Sequence, residues 1–223
     1  MWRDAALVAG KDLRIEARSK VALSQVAPFG IVALGLFAFA LGPARAPMVS
    51  GAPGLFWVAV LFSTVLAIQR SVSVESADGA RDGLRLSGLD PAGLFLGKAL
   101  AVAAQLVVLE LVLTVGVVLL YGAAVKTVWL IAAACLLGTV GLAAAGTLYG
   151  ALSAGIRVRE TLLPFLLLPV VTPILLAGTR IWQAGLAGGT PSDATPWLHL
   201  LLAFDAVYLA VGVVVYGPIQ EAT

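Results

Sequence analysis

Residues 106–120 read Leu-Val-Val-Leu-Glu-Leu-Val-Leu-Thr-Val-Gly-Val-Val-Leu-Leu, with Glu110 the single charge in the run. Neither the two-residue alternation of a half-buried strand nor the polar face of an amphipathic helix interrupts it. A helical span needs roughly 20 mostly apolar residues to cross a hydrocarbon core of about 30 Å. The apolar context extends this run to Ala99–Tyr121, which is long enough. A transmembrane barrel would alternate apolar and polar residues over segments of about ten instead. The fold class is therefore all-α: a polytopic bundle of membrane helices.

Composition agrees. Of 223 residues, 61% are hydrophobic and 12% charged, with a mean hydropathy of +1.03, whereas soluble domains carry about 25% charged residues. A net charge of +2 without basic blocks excludes a nucleic-acid surface. The single cysteine, Cys135, and the single histidine, His199, exclude an internal disulfide and a Cys/His metal site.

Working outward, six spans are expected at Val21–Leu41, Gly51–Ile68, Ala99–Tyr121, Thr127–Leu152, Leu162–Arg180 and Trp197–Tyr216. Pro164, Pro169 and Pro173 fall in the fifth, which should be kinked or broken, because proline removes a backbone donor. The fourth carries Ala134, Gly138, Gly146, Gly150 and Ala154 on a four-residue register, with Gly141 and Ala145 alongside. Such small faces allow close helix approach, here for internal packing or for a dimer.

Residues 1–20 form a separate unit. Trp2, Ala6, Ala9, Leu13 and Ala17 recur at helical spacing, Arg3, Lys11, Arg14, Arg18 and Lys20 lie mostly around the other face, and Glu16 can pair with Lys20. This reads as an amphipathic helix in the headgroup plane, with a soluble extension as the plainer alternative. A signal peptide would need a basic start and an apolar core of 7–15 residues, so the segment is expected to stay in the mature protein.

Gln69–Lys98 interrupts the bundle with Arg70, Glu75, Asp78, Arg81, Asp82, Arg85, Asp90 and Lys98. The N-terminal segment holds five Lys and Arg, this island four, and the Ser153–Thr161 loop two. The opposite loops hold Arg45, Lys126 and Arg180. Eleven against three places both termini and the island in the cytoplasm. Within the island, Asp90-Pro91 reads as an N-cap followed by the first helical position. Ala80–Leu86 reads as a short helix presenting Leu84 and Leu86 with Arg81 and Arg85, a knob for a partner's groove or a solvated connector.

Catalytic readings fail. Gly93-Leu-Phe-Leu-Gly97-Lys98 has three residues between its glycines and Ala99 after the lysine, so it is not a phosphate-binding P-loop. Ser153 lies in ALSAG rather than G-x-S-x-G, with no nearby base. Glu110 and Asp205 are ionisable residues at membrane depth, candidates for a transport path or for hydrogen-bonded structural carboxyls. His199, beside Trp197, could touch a metalloporphyrin or simply sit at the interface.

Ala52-Pro53-Gly54, Trp57-Val58-Ala59, Leu61 and Leu66-Ala67 run into the island that ends at Gly97-Lys98, and Leu168-Pro169-Val170-Val171-Thr172-Pro173-Ile174-Leu175-Leu176 follows later. This pattern resembles the haem exporter protein B family, the permease subunit of an ABC system for cytochrome c maturation. Glu75, Gly79 and Leu84 resemble a pattern of ABC export permeases more broadly. The resemblance implies a six-span permease without enzymatic activity of its own, in the bacterial inner membrane. It would work as a pair with two cytosolic ATPase subunits that bind ATP, a haem-handling family C membrane protein and a small single-span subunit. A periplasmic haem chaperone would receive haem, the substrate of the complex. It further implies residues 1–20 as an interfacial helix and 21–223 as the membrane domain, with 69–98 as the ATPase-coupling loop. Glu75, Gly79, Arg81, Leu84, Arg85 and Leu86 would be its contact candidates. Pro169, Pro173, Glu110, Asp205 and His199 remain candidates for a path or for structure. An ABC permease for a drug or lipid-linked glycan shares this architecture. A secondary transporter using Glu110 and Asp205 for proton coupling would be expected to show an internal repeat, and none is evident.

Overall fold

The computed structural model describes residues 1–19, 26–42, 45–76, 88–153 and 159–222, without the side chains of 45, 74–76, 159–163 and 222. The described residues form seven helices: α1 Trp2–Ser19, α2 Ala27–Leu41, α3 Arg45–Ser76, α4 Pro91–Tyr121, α5 Val128–Ser153, α6 Arg159–Ala187 and α7 Pro191–Ala222. Five of them, α3 to α7, are long and apolar enough to cross a membrane. The first expected span falls on α2, whose 15 residues rise about 22 Å, less than a bilayer core. Its expected start, 21–25, lies outside the described residues.

Several helices outrun their apolar cores. The second expected span, Gly51–Ile68, is part of a 32-residue helix reaching Ser76, so the charged island begins as two further turns of helix. At its other end α4 starts at Pro91, and Gly93, Gly97 and Lys98 are helical rather than loop. Hydropathy marks where a helix meets lipid; backbone hydrogen bonding continues past that boundary until a residue stops it. Pro91 occupies the first helical turn as expected, but Asp90 makes no side-chain cap. Its carboxylate instead lies 3.4 Å from the Met1 ammonium.

The fifth expected span is not broken. α6 runs through Pro164, Pro169 and Pro173 as one helix. In the turn preceding Pro173, the Val170 carbonyl accepts a hydrogen bond from the Tyr208 hydroxyl of α7, at 2.9 Å. A neighbouring helix thus hydrogen-bonds to backbone beside the proline, while the carbonyl that Pro173 itself deprives of an N–H donor is that of Pro169. Tyr121 of α4 donates likewise to the Leu34 carbonyl of α2, at 2.9 Å.

α5 stands in the middle, packed against α3, α4, α6 and α7. Its glycines make this possible. Gly138 abuts the Trp57 ring of α3, Gly146 abuts Ile68, and Gly150 would place a Cβ 2.8 Å from Ile68 Cγ2. The small-residue face is therefore filled from within this chain, which is the internal alternative of the two expected. Ala154 lies outside the described residues.

Candidate functional site

The end of the bundle that carries the charged island is organised by α1. This helix lies on α4, where Gly93 and Gly97 admit its backbone: a Cβ at Gly97 would stand 2.7 Å from the Ala5 carbonyl oxygen and 2.7 Å from Val8 Cβ. The buried residues of α1 are Ala5, Val8 and Ala9. Of the stripe expected from spacing only Ala9 is among them, since Trp2 is 74% exposed and Leu13 is also exposed. Val8, which is not part of that stripe, is buried against α4. The difference has a physical cause: α1 carries apolar residues on a face packed against protein and on an exposed face, and helical periodicity cannot tell them apart.

Polar contacts tie α1 to both flanks of the island. Asp4 Oδ2 accepts the Asp90 backbone N–H at 3.3 Å, and the Met1 ammonium lies 3.4 Å from Asp4 Oδ2. Desolvation opposes the charge of that ammonium, but the hydrogen bonds and negative charge of Asp4 and then Asp90 outweigh it, so its pKa is raised. At the far end, Arg70 Nε lies 3.5 Å from Glu16 Oε2. The Glu16–Lys20 pair expected from spacing involves a residue outside the described set. Lys98, expected at the aqueous edge of the island, is instead buried beneath α1, within electrostatic reach of Asp12. One helix thus contacts Arg70, near the start of the island, and Asp90, toward its end.

The expected contact residues of the island can be followed only partly. Glu75 is in the last turn of α3, with its side chain undescribed, and Gly79, Arg81, Leu84, Arg85 and Leu86 lie outside the described residues. The other candidates are dispersed. Glu110 and Asp205 are both buried. Glu110 looks toward Cys135 and Thr139 of α5, whereas Asp205 approaches Gly141. Positions 139 and 141 lie about 200° apart around a helix, so the two carboxyls occupy opposite sides of α5 and are not a pair. Neither has a hydrogen-bond partner among the described residues. Pro169 and His199 are exposed and Pro173 is half-buried. No group of three or more potential metal ligands occurs among the described residues.

An aromatic wedge passed unnoticed in the sequence. Phe56 stacks on Trp182 with centroids 4.0 Å apart and meets Trp57 edge-on at 5.5 Å. Trp57 fits between Gly138 and Gly178, where a Cβ at Gly178 would stand 2.5 Å from its ring. Toward the opposite end, a cavity of about 500 Å³ lies between α3, α6 and the α4–α5 connection, lined in part by Ser50, Pro53, Lys126 and Gln183. Lys126 Nζ donates to the Ala187 carbonyl there, at 3.3 Å.

Residues 4–217 match the family described as CcmB protein. The chain belongs to the CcmB family. It is 32% identical over 191 residues to heme exporter protein B of Paracoccus denitrificans, covering 84% of this chain and 86% of that protein. To heme exporter protein B of Pseudomonas aeruginosa it is 28% identical over 198 residues, 89% of each chain. The corresponding protein of Rhodobacter capsulatus is 29% identical over 180 residues, 80% of this chain and 82% of its own. The motifs that carried the resemblance now have physical roles. Ala52, Trp57 and Ala59 are buried in the core, and Pro53 lines the cavity at the far end. In the later block Val171 and Ile174 point inward, while Pro169 faces outward.

Proposed function

We propose that this CcmB-family chain is the membrane permease subunit of a haem exporter serving c-type cytochrome maturation, with haem as the cargo of the complex. In this reading α2 belongs to the first of six spans, and both termini face the cytoplasm. ATP is hydrolysed on a separate cytosolic subunit. A second copy of the chain, a haem-handling membrane protein and a small single-span subunit complete the assembly, which delivers haem to a periplasmic chaperone.

The family match along nearly the whole chain supports the cargo. The observation that carries the mechanism is the bridge made by α1 between Arg70 and Asp90. A push on the segment between those residues that moves α3 also strains its contact with α1 through Arg70, and α1 is seated on α4. Motion delivered by the ATPase at residues 77–87 would therefore reach two spans together. Chemistry on this subunit is not needed.

Replacing Glu75 and Leu84 together by alanine is expected to abolish stimulation of the partner ATPase and c-type cytochrome yield while the chain still accumulates in the membrane. Unchanged stimulation and yield would overturn the coupling mechanism. A tagged chain purified in mild detergent is expected to recover an ATPase subunit and a haem-bearing membrane protein. Recovery of neither would overturn the subunit assignment.

A further inference from the structure

We propose that Glu110 is a positioning residue that binds one proton: as the un-ionised acid it donates a hydrogen bond to the Thr139 hydroxyl and so ties α4 to α5. Glu110 is 2% exposed and Thr139 1%. The two side chains face each other, with Cys135, one turn before Thr139, as the other neighbour of the carboxyl. Neither carboxyl oxygen nor Thr139 Oγ1 has a hydrogen-bond partner among the described residues. Threonine in a helix has two accessible χ1 wells, so a rotation can close the pair. The hydroxyls of the other spans show why Thr139 is available. Ser63, Thr64 and Thr172 each donate to the carbonyl one turn earlier in their own helix, the usual way for a hydroxyl to settle its proton in a helix. Thr114, one turn after Glu110, does the same to the Glu110 backbone carbonyl at 2.6 Å, so it does not compete for the side chain. Thr139 makes no such bond, and neither does Thr147 further along α5.

Charge decides the form of the acid. An ionised carboxylate so enclosed would need a cation beside it. Among the described residues none faces it from the helices packed on α4, which are α1, α2, α3, α5 and α7. Residues 27–41 of α2, 46–69 of α3 and 128–153 of α5 include no charged residue and no histidine, and their titratable groups are Cys135 and Tyr149. The charged residues of α1 belong to a helix seated on the Gly93–Gly97 end of α4. Lys98, on α4 itself, is twelve positions before Glu110, about 18 Å along the helix. Asp205 of α7 stands on the other side of α5, and His199 of α7 is exposed. A neutral acid carries one O–H donor and needs one acceptor. The hydroxyl of Thr139 is a full acceptor and the sulfur of Cys135 a weak one, which selects Thr139.

The test is infrared difference spectroscopy of the full chain in lipid nanodiscs at neutral pH, wild type minus Glu110→Gln. The expected result is the carbonyl band of an un-ionised carboxylic acid, absent from the variant. Read in the same way against its own Glu110→Gln partner, Thr139→Val should move that band to higher frequency, whereas Thr139→Ser and Cys135→Ala should leave it in place. Carboxylate stretches instead of the acid band would overturn the bound proton, and a band indifferent to Thr139→Val would overturn the pair. Unfolding midpoints in detergent give a second readout. Thr139→Val should lower the midpoint in the wild type and in Glu110→Gln, which keeps a donor without a titrating proton. It should leave the midpoint unchanged in Glu110→Leu, where no donor remains. Equal losses in all three backgrounds would overturn the tie.

Discussion

At the residue scale the tightest constraint is Trp57 in its slot. The ring lies between glycines of two other helices, and a methyl group at Gly178 would stand 2.5 Å from it. Gly178→Ala is expected to destabilise the protein by about 1–3 kcal/mol through overpacking, read as a lowered unfolding midpoint in detergent. Combining it with Trp57→Phe should recover part of that loss, because residues in contact do not behave additively. Strict additivity would show that the slot relaxes elsewhere. Trp57 was visible in the sequence as part of the Trp57-Val58-Ala59 block, and Gly138 as one of a series of small residues in its span. Nothing in the sequence said that they meet, because Gly178 and Gly138 come from different helices 40 positions apart. Glu110 and Asp205 teach the converse. Both were legible as costly ionisable groups at membrane depth, yet their separation across α5 is a tertiary fact, and it removes support from any mechanism that passes a proton between them.

At the element scale α1 sets itself apart. Its existence and amphipathic character were legible from spacing, but the face it buries was not. Of the apolar stripe Trp2, Ala6, Ala9, Leu13 and Ala17, Ala9 packs on protein together with Ala5 and Val8, while the other four are exposed. Gly93 and Gly97, which look in sequence like a failed phosphate loop, are the two positions where α4 lets α1 approach. Gly97→Val should therefore displace α1 without unfolding the bundle. The expected outcome is faster amide hydrogen exchange across residues 5–15, with exchange in α5 unchanged. Unaltered protection in α1 would show that its polar contacts with Arg70 and Asp90 hold it without the close approach. Helix ends were legible only where a residue enforces them. Pro91 stopped α4 where expected, while α3 passed its hydropathic edge by two turns because no proline or left-handed glycine intervenes there.

At the scale of the whole molecule, the bundle has two unlike ends: α1, Arg70 and Asp90 at one, Lys126 and the α6–α7 connection at the other. From the positive-inside count, a cysteine at Ser73 in a Cys135→Ala background is expected to react with an impermeant thiol reagent only from the cytoplasmic side. One at Lys126 will react only from the periplasmic side. The reverse pattern would invert the orientation and with it the site of ATPase docking. The sequence alone determined that this is an all-helical membrane protein with charge concentrated between its second and third expected spans. Those properties follow from the free energy of moving each side chain between water and hydrocarbon, which is summed residue by residue and needs no partner. Only the tertiary structure decided that α1 touches that charged stretch near both of its ends, that the small face of α5 is filled by α3, and that an apolar slot remains beside α1. These depend on which surfaces fit together at van der Waals distance. In hydrocarbon, where all the faces are equally apolar, hydropathy carries no information about that fit.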